Sequence, residues 1–469
     1  MRKSSVPVEK VVPIFDPEQL PVGWKMPTIG DICVKVHKVN PKDEPDAEFN
    51  YIDISGIDNE HFRIANTKRY FGTDAPSRAR QFVHRGDVVF STVRTYLKNF
   101  ARVTPELDGQ IASTGFCVLR AASEELSKYL FYFVQYEKFL NELAKFQRGT
   151  SYPAVRDSDV FAQYIPVPPK GHAGLIVAEI EKQFSRLDEA VANLKRVKAN
   201  LKRYKAAILK AAVEGKLTEE WRKQHPDIEP ADKLLERILA ERREKWQGRG
   251  KYKEPAAPDT TDLPELPEGW VWVTLPQLGE LNRGKSKHRP RNDPKLYGGP
   301  YPFVQTGDVR HAVSKIKEYT QTYSDEGLAQ SRLWPEETLC ITIAANIADT
   351  ALLGFEACFP DSIVGFLPET NHTDVRFIEY FIRTAKENLE RFAPATAQKN
   401  INLEILKAVA VPCPPENEQK IIAAEIEARL SVVECIESSV DASLRRNDRL
   451  RQSILKKAFS GALLEPSSI

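Results

Sequence analysis

Leu20-Pro21-Val22-Gly23-Trp24 and Leu266-Pro267-Glu268-Gly269-Trp270 stand 246 positions apart in a chain of 469 residues. Carried downstream, the same offset brings Pro166-Val167-Pro168-Pro169 onto Pro412-Cys413-Pro414-Pro415, and Ile176-Val177-Ala178-Glu179-Ile180-Glu181 onto Ile422-Ala423-Ala424-Glu425-Ile426-Glu427. It also brings Ile208-Leu209-Lys210 onto Ile454-Leu455-Lys456, and Gly215 and Leu217 onto Gly461 and Leu463. A register held this far is the mark of an internal duplication. Between the matched blocks, residues 25–164 and 271–410 have the same length and almost no aligned identity. Each copy therefore reads as a variable globular domain followed by a constant segment. Within the variable parts, FVHRGDVVFSTVR (Phe82 to Arg94) and LWPEETLCITI (Leu333 to Ile343) share a turn followed by a β-branched run of buried-strand length.

The constant segments read as helices. Ile180, Phe184, Leu187, Val191, Leu194, Lys198, Leu201, Lys205 and Ile208 step by four and three, entered after Pro168-Pro169 and left near Gly215. That is a coiled-coil seam with a glycine cap. The second copy, Ile426, Leu430, Val433, Ile436, Val440, Leu444, Leu450 and Ile454, is looser and holds a polar Asn447. Roughly 35 to 40 residues would span about 50 to 60 Å. Because the copies are duplicates, an antiparallel pairing predicts a pseudo-twofold axis with one globular domain at each end. The competing arrangement is two separate amphipathic helices, each covering its own domain. Between Lys216 and Trp246, Leu234, Leu235, Ile238 and Leu239 predict a short exposed helix, and residues 247–265, with Gly248, Gly250 and three prolines, predict a linker.

The expected fold class is α+β: two globular α/β domains, 20–169 and 266–415, separated by a long antiparallel two-helix coiled coil with a pseudo-twofold internal repeat. Residues 1–19 form an N-terminal tail, and 170–246 and 416–469 are the helical regions. A hydrophobic content of 42% against 28% charged residues fits ordinary globular domains. No run reaches the roughly 18 apolar residues of a membrane span, and the proline-broken start lacks a signal-peptide core, so a cytoplasmic location is expected. The six cysteines, Cys33, Cys117, Cys340, Cys358, Cys413 and Cys435, are scattered singly, which predicts reduced thiols without a metal site. The net charge of +2 is uninformative, since phosphate contact depends on local clusters.

Gly279-Glu280-Leu281-Asn282-Arg283-Gly284-Lys285-Ser286 fits the phosphate-loop pattern GxxxxGK[ST], which would make the chain a P-loop NTPase with a coiled-coil arm. Its context disagrees, because Pro276 precedes it and Pro290 and Pro294 obstruct the helix that must follow. No HExxH, GxSxG or GxGxxG is present, so no catalytic site is expected. The basic clusters say more. Arg283, Lys285, Lys287, His288, Arg289 and Arg291 crowd one loop; Arg94, Lys98 and Arg102 flank Tyr96; Arg148, Thr150, Ser151, Tyr152 and Arg156 follow an amphipathic helix. The second copy places Thr396, Gln398, Lys399 and Asn400 in the corresponding stretch. Arg and Lys supply phosphate affinity, and Arg, Gln, Asn, Ser and Thr read base edges.

Together, the LPxGW starts, the proline exits and the helix ends ILKAAVEGKLTEEW (Ile208 to Trp221) and ILKKAFSGALLE (Ile454 to Glu465) resemble the DNA specificity subunit of type I restriction-modification systems. The second copy carries Pro414-Pro415-Glu416-Asn417-Glu418-Gln419, and the first departs from that pattern at Lys170 to Gly174. The resemblance implies a non-catalytic reader with two target-recognition domains, each binding one half of a split, asymmetric site in double-stranded DNA. It implies two methyltransferase subunits using S-adenosylmethionine, ATP-driven restriction and translocase subunits with their magnesium, and no cofactor in this chain. The DNA-contacting loops it implies fall on Thr92 to Lys98, Arg148 to Arg156, Arg283 to Arg291, Gln305-Thr306-Gly307-Asp308 and Thr396 to Asn400. A purely structural coiled-coil scaffold would be indifferent to exchange of its variable domains; a specificity subunit would not.

Overall fold

The computed structural model describes residues 11–248, 250–288, 290–344, 348–369, 372–391 and 403–464. Its contacts divide the chain into two compact units, Met1–Arg196 with Val440–Ile469, and Val197–Ser439. Each unit thus owns one variable domain and a portion of both constant segments.

In the first unit, the run that reads as a buried strand is the strand Val88–Ser91, every residue of which is buried. It lies in a four-stranded antiparallel sheet between Phe116–Ala121 and Phe100–Arg102, with Cys33–Val34 at the far edge. Successive side chains point to opposite faces of a strand, so a run buried throughout needs a cover on each face. Val88, Phe90, Phe100, Cys117 and Leu119 pack against Leu130, Phe133, Phe139 and Leu140 of the helices Glu124–Phe133 and Glu137–Ala144. Val89, Ala101, Phe116 and Val118 meet Ile52, Val83 and Ala112 of a second sheet. That sheet runs Lys68–Phe71, Glu48–Ile52, Gln110–Ser113, Ala79–Val83, with one parallel pair inside it.

The second unit repeats the first sheet strand for strand: Gly279–Arg283, Ile363–Pro368, Leu339–Thr342, Thr350–Leu353, with Lys315–Ile316 added in parallel at the edge. The two-faced burial also recurs. Leu339, Ile341, Val364 and Phe366 face Phe377, Ile378 and Ile382, while Cys340, Ala351 and Ile363 face Trp334 and Phe359. Gly365 lies where a Cβ would come within 2.8 Å of the Phe359 ring, because the stacked pair Trp334–Phe359 fills that face.

The constant segments form continuous helices, His172–Val213 of 42 residues and Glu416–Phe459 of 44. Both exceed the length expected from sequence, because each begins well before its first seam residue, at His172 ahead of Ile180 and at Glu416 ahead of Ile426. In the first unit Arg451 reaches Asp188 and lies over the Phe184 ring, while the Asn447 amide donates to the Leu187 carbonyl at 3.1 Å. In the second, Lys205 pairs with Glu437 at 2.7 Å. Phe459, fully buried, sits edge-on to Tyr129 and Phe133 at 5.1 Å from each.

The helix ends account for the repeated LPxGW. Gly215 (φ +69°) and Gly461 (φ +77°) occupy the left-handed region that favours glycine after a helix. A Cβ on Gly215 would stand 2.6 Å from Pro267 Cγ and 3.2 Å from the Trp270 ring; one on Gly461 would collide with Pro21 and stand 3.2 Å from Trp24. Each copy's Pro and Trp therefore receive the helix end of the other copy. In the second unit this junction encloses Glu418, which has no exposed surface. Its carboxylate accepts from Thr218 (2.6 Å), Arg222 (2.5 Å) and the Trp270 indole (2.9 Å). The equivalent position in the first copy is His172, beside Trp24, Ile176 and Leu464. The helix expected to be exposed, here Ala231–Glu244, instead buries Ala231, Leu234 and Ile238 in the second unit's core with Leu275 and Leu278.

Candidate nucleic-acid interface

In the first unit, two of the sequence-predicted loops form one surface. The chain leaves the strand Val88–Ser91 at Thr92, whose amide and hydroxyl both donate to the Gly115 carbonyl. Thr92 is buried and spent on this tie, which corrects its expected role as a contact residue. From Arg94 to Lys98 the backbone makes a short 3-10 turn bracketed by two left-handed residues, Arg94 (φ 49°) and Lys98 (φ 56°). Non-glycine residues hold that conformation only where neighbours over-determine it. Here the Arg94 amide donates to Pro153 O at 2.8 Å, its guanidinium donates to Ser151 O at 3.1 Å and lies 4.6 Å over the Tyr152 ring, and Gln147 donates to Thr95 at 2.6 Å. The isolated bridge Val93–Ala154 joins the 148–156 loop to the first, and Arg148–Ala154 closes that loop on itself.

The outer surface of this pair presents Tyr96, Leu97, Thr150, Ser151, Tyr152 and Arg156, all exposed. Two cations are already engaged: Arg148 with Asp159 at 2.5 Å, and Lys98 with Glu137 at 2.8 Å. Asp159 also accepts from the Arg156 amide, capping the helix Asp157–Phe161, so Arg148 secures the loop base.

In the second unit, Arg283, Lys285 and Lys287 are exposed on the chain leaving the edge strand Gly279–Arg283. That chain is held flat: Gly284 donates to Ile363 O, a Cβ there would collide with the Phe359 and Pro360 carbonyls, and Gln330 accepts from the Lys287 and His288 amides. Arg291 forks onto Asp361 at 3.0 Å, and Arg289 lies outside the described residues. The phosphate-loop reading fails on this geometry. Its strand is antiparallel to Ile363–Pro368, Ser286 is buried, and the next element is the 3-10 turn Pro294–Leu296, so no helix N-terminus follows. The Gln305–Asp308 turn is anchored elsewhere. Asp308 accepts from the Gln305 amide at the start of the helix Thr306–His311, and the Gln305 side chain donates to Gln321 at 2.6 Å. Asp308 is thus a capping residue, half-buried like Thr306. Thr396, Gln398, Lys399 and Asn400 lie outside the described residues.

One element was not predicted. By sheet position, the counterpart of Thr92 to Asn99 is the connection from Ile343 to Asp349. The Thr342 amide donates to Asp349 O at 3.0 Å as Ser91 does to Asn99 O at 2.9 Å, and Ala348 (φ 58°) takes the left-handed place of Lys98. The only signal was the strand match before it, since the connection carries no basic residue. Behind it Lys386 pairs with Asp349, and Arg383 holds the fully buried Glu379 at 2.7 Å. Burial pushes the Glu379 carboxyl up to about 7, against the pull of Arg383 and Thr350.

No group of three or more His, Cys, Asp or Glu able to hold a metal ion occurs among the described residues, and no helix among them is long and apolar enough to cross a membrane. Burial pushes the Cys33 and Cys413 thiols up to about 12; Cys435 is exposed.

The description of the type I restriction modification DNA specificity domain matches residues 21–203 and again 267–434, once in each copy. The chain belongs to that family. As a specificity protein it is similar to the type I restriction enzyme EcoDI specificity subunit of Escherichia coli, with 25% identity across 67% of this chain and 66% of that one. It is also similar to the EcoKI specificity subunit of Escherichia coli K12, at 23% identity across 95% and 90%. Among solved structures, the HsdS subunit from Thermoanaerobacter tengcongensis is 29% identical, with a TM-score of 0.53 over 95% of this chain and 98% of that one. A chain solved in work on the assembly and conformational transition of the type I R-M system, also 29% identical, reaches 0.71 over 95% and 99%. The family supplies DNA specificity to restriction-modification complexes, and its specificity subunits are non-catalytic.

Proposed function

We propose that each variable domain is a target-recognition domain reading one half of a bipartite, asymmetric DNA site, and that the two long helices form an antiparallel coiled coil about a pseudo-twofold axis that sets the gap between the halves. The reciprocal helix ends support this most directly: Gly215 seats on Pro267 and Trp270, and Gly461 on Pro21 and Trp24. A duplicated chain whose helices ran beside their own domains would give each motif the helix end of its own copy.

On this reading the exposed parts of Arg94 to Lys98 and Arg148 to Arg156 meet the first half-site. Arg283 to Arg291, Gln305 to Asp308 and Thr396 to Asn400 meet the second, joined by the connection ending at Asp349. Two methyltransferase subunits, carrying S-adenosylmethionine, dock on the constant helices, and ATP-dependent restriction subunits join them in the cytoplasm. Methylation mapping of the host genome, with and without this gene, tests the reading. A split motif that disappears with the gene is expected, and an unchanged methylation pattern would refute it.

A further inference from the structure

Both exposed tyrosines of the first unit among the described residues, Tyr96 (59% exposed) and Tyr152 (70%), lie on the loop pair at Arg94–Arg156, with Leu97 (40%) beside Tyr96. The turn that carries Tyr96 and Leu97 is bracketed by two left-handed residues, Arg94 and Lys98. Arg94 turns the chain out and Lys98 turns it back, so that Tyr96 and Leu97 stand at the tip. The tip is braced on three sides: Arg94 on Pro153 and Ser151, Thr95 on Gln147, and the Leu97 carbonyl on the Asn59 side chain at 2.8 Å. A rigid apolar tip among cations suits an anionic partner that also offers flat apolar faces. A DNA base step does so.

Resting on the target-recognition reading above, we propose that Tyr96 and Leu97 form a wedge that enters between adjacent base pairs at the first half-site. Part of that half-site's specificity is then read as the ease with which the step unstacks. Apolar side chains inserted in this way kink a duplex, and pyrimidine–purine steps yield most readily. Arg156, exposed on the same loop pair, holds a flanking phosphate while the stack opens. Bracing matters because a flexible loop would lose on ordering what it gained on insertion.

The test uses the full-length chain and a duplex carrying the motif found by methylation mapping, alongside a series in which a single mismatch is moved across the first half-site and its flanks. Tyr96→Ala and Leu97→Ala should each weaken binding to the intact duplex roughly tenfold to hundredfold. One mismatch position should restore most of the loss, because the unstacking is then already done. Tyr96→Phe should bind like the parent, and 2-aminopurine at the rescuing step should brighten when the parent binds. An equal loss on intact and mismatched duplexes, or no fluorescence change with the parent, would overturn the wedge while leaving target recognition standing. A parent that does not prefer the motif duplex over a scrambled one would instead overturn the recognition reading itself.

Discussion

Replacing Glu418 by Leu tests how the second unit is closed. The carboxylate is fully buried and serves three donors: the Thr218 hydroxyl, the Arg222 guanidinium and the Trp270 indole. Leucine removes the acceptor from all three. Breaking a buried ion pair by deleting one partner costs about 3–5 kcal/mol, and an orphaned indole N–H costs about 1–3 more if it finds no water. Arg222 is 18% exposed and keeps its bond to the Gly215 carbonyl, so part of its loss is recovered from solvent. A net destabilisation of about 3–4 kcal/mol is expected. Because most of that is the penalty for a stranded cation, Arg222→Leu combined with Glu418→Leu should recover at least half of it. Hydrogen exchange read by mass spectrometry on peptides spanning Ile208–Arg222 and Leu266–Thr274 should show faster opening in the single variant and recovery in the double. A loss below about 0.5 kcal/mol in the single variant, within ordinary surface scatter, would refute the account of this junction, as would a double variant no better than the single.

Phe459→Ala should destabilise the first unit by about 3–5 kcal/mol, since the ring is fully buried against Tyr129 and Phe133, and calorimetry should show that unit melting earlier. Glu379 favours its protonated form in the folded state, at about 7 against an ordinary 4.5, so its contribution is complete below about pH 4.5 and lost as the pH rises through 7. That swing is about 3 kcal/mol, and denaturant titrations of Glu379→Gln across this range should lack it. Lys287→Ala, on an exposed cation of the second unit, should weaken all DNA sequences alike and lower the salt slope of binding by about one; a change of sequence preference would contradict a phosphate contact.

The duplication and both buried strands were legible because they are local patterns: VVFS and LCIT, and a register that never slips. The meaning of LPxGW was not. Its partner glycine comes from the other copy, and no periodicity reports a contact between residues so far apart in sequence. Leu234 and Ile238 mark an amphipathic helix, yet their spacing does not say that a core lies beneath it. For the site, Arg, Tyr and Thr residues located the first unit's loops, but Thr92 is indistinguishable in sequence from an exposed threonine until Gly115 is placed against it. The connection at Ile343–Asp349 was not legible because it carries no cation to mark it.

Exchange of one variable domain tests the central claim most directly. Residues 25–164 are replaced by the corresponding segment of a specificity subunit with a different target, and the host methylome is mapped. The account predicts a new sequence in one half of the motif, with the other half and the gap unchanged. An unchanged motif, or one altered in both halves, would contradict it.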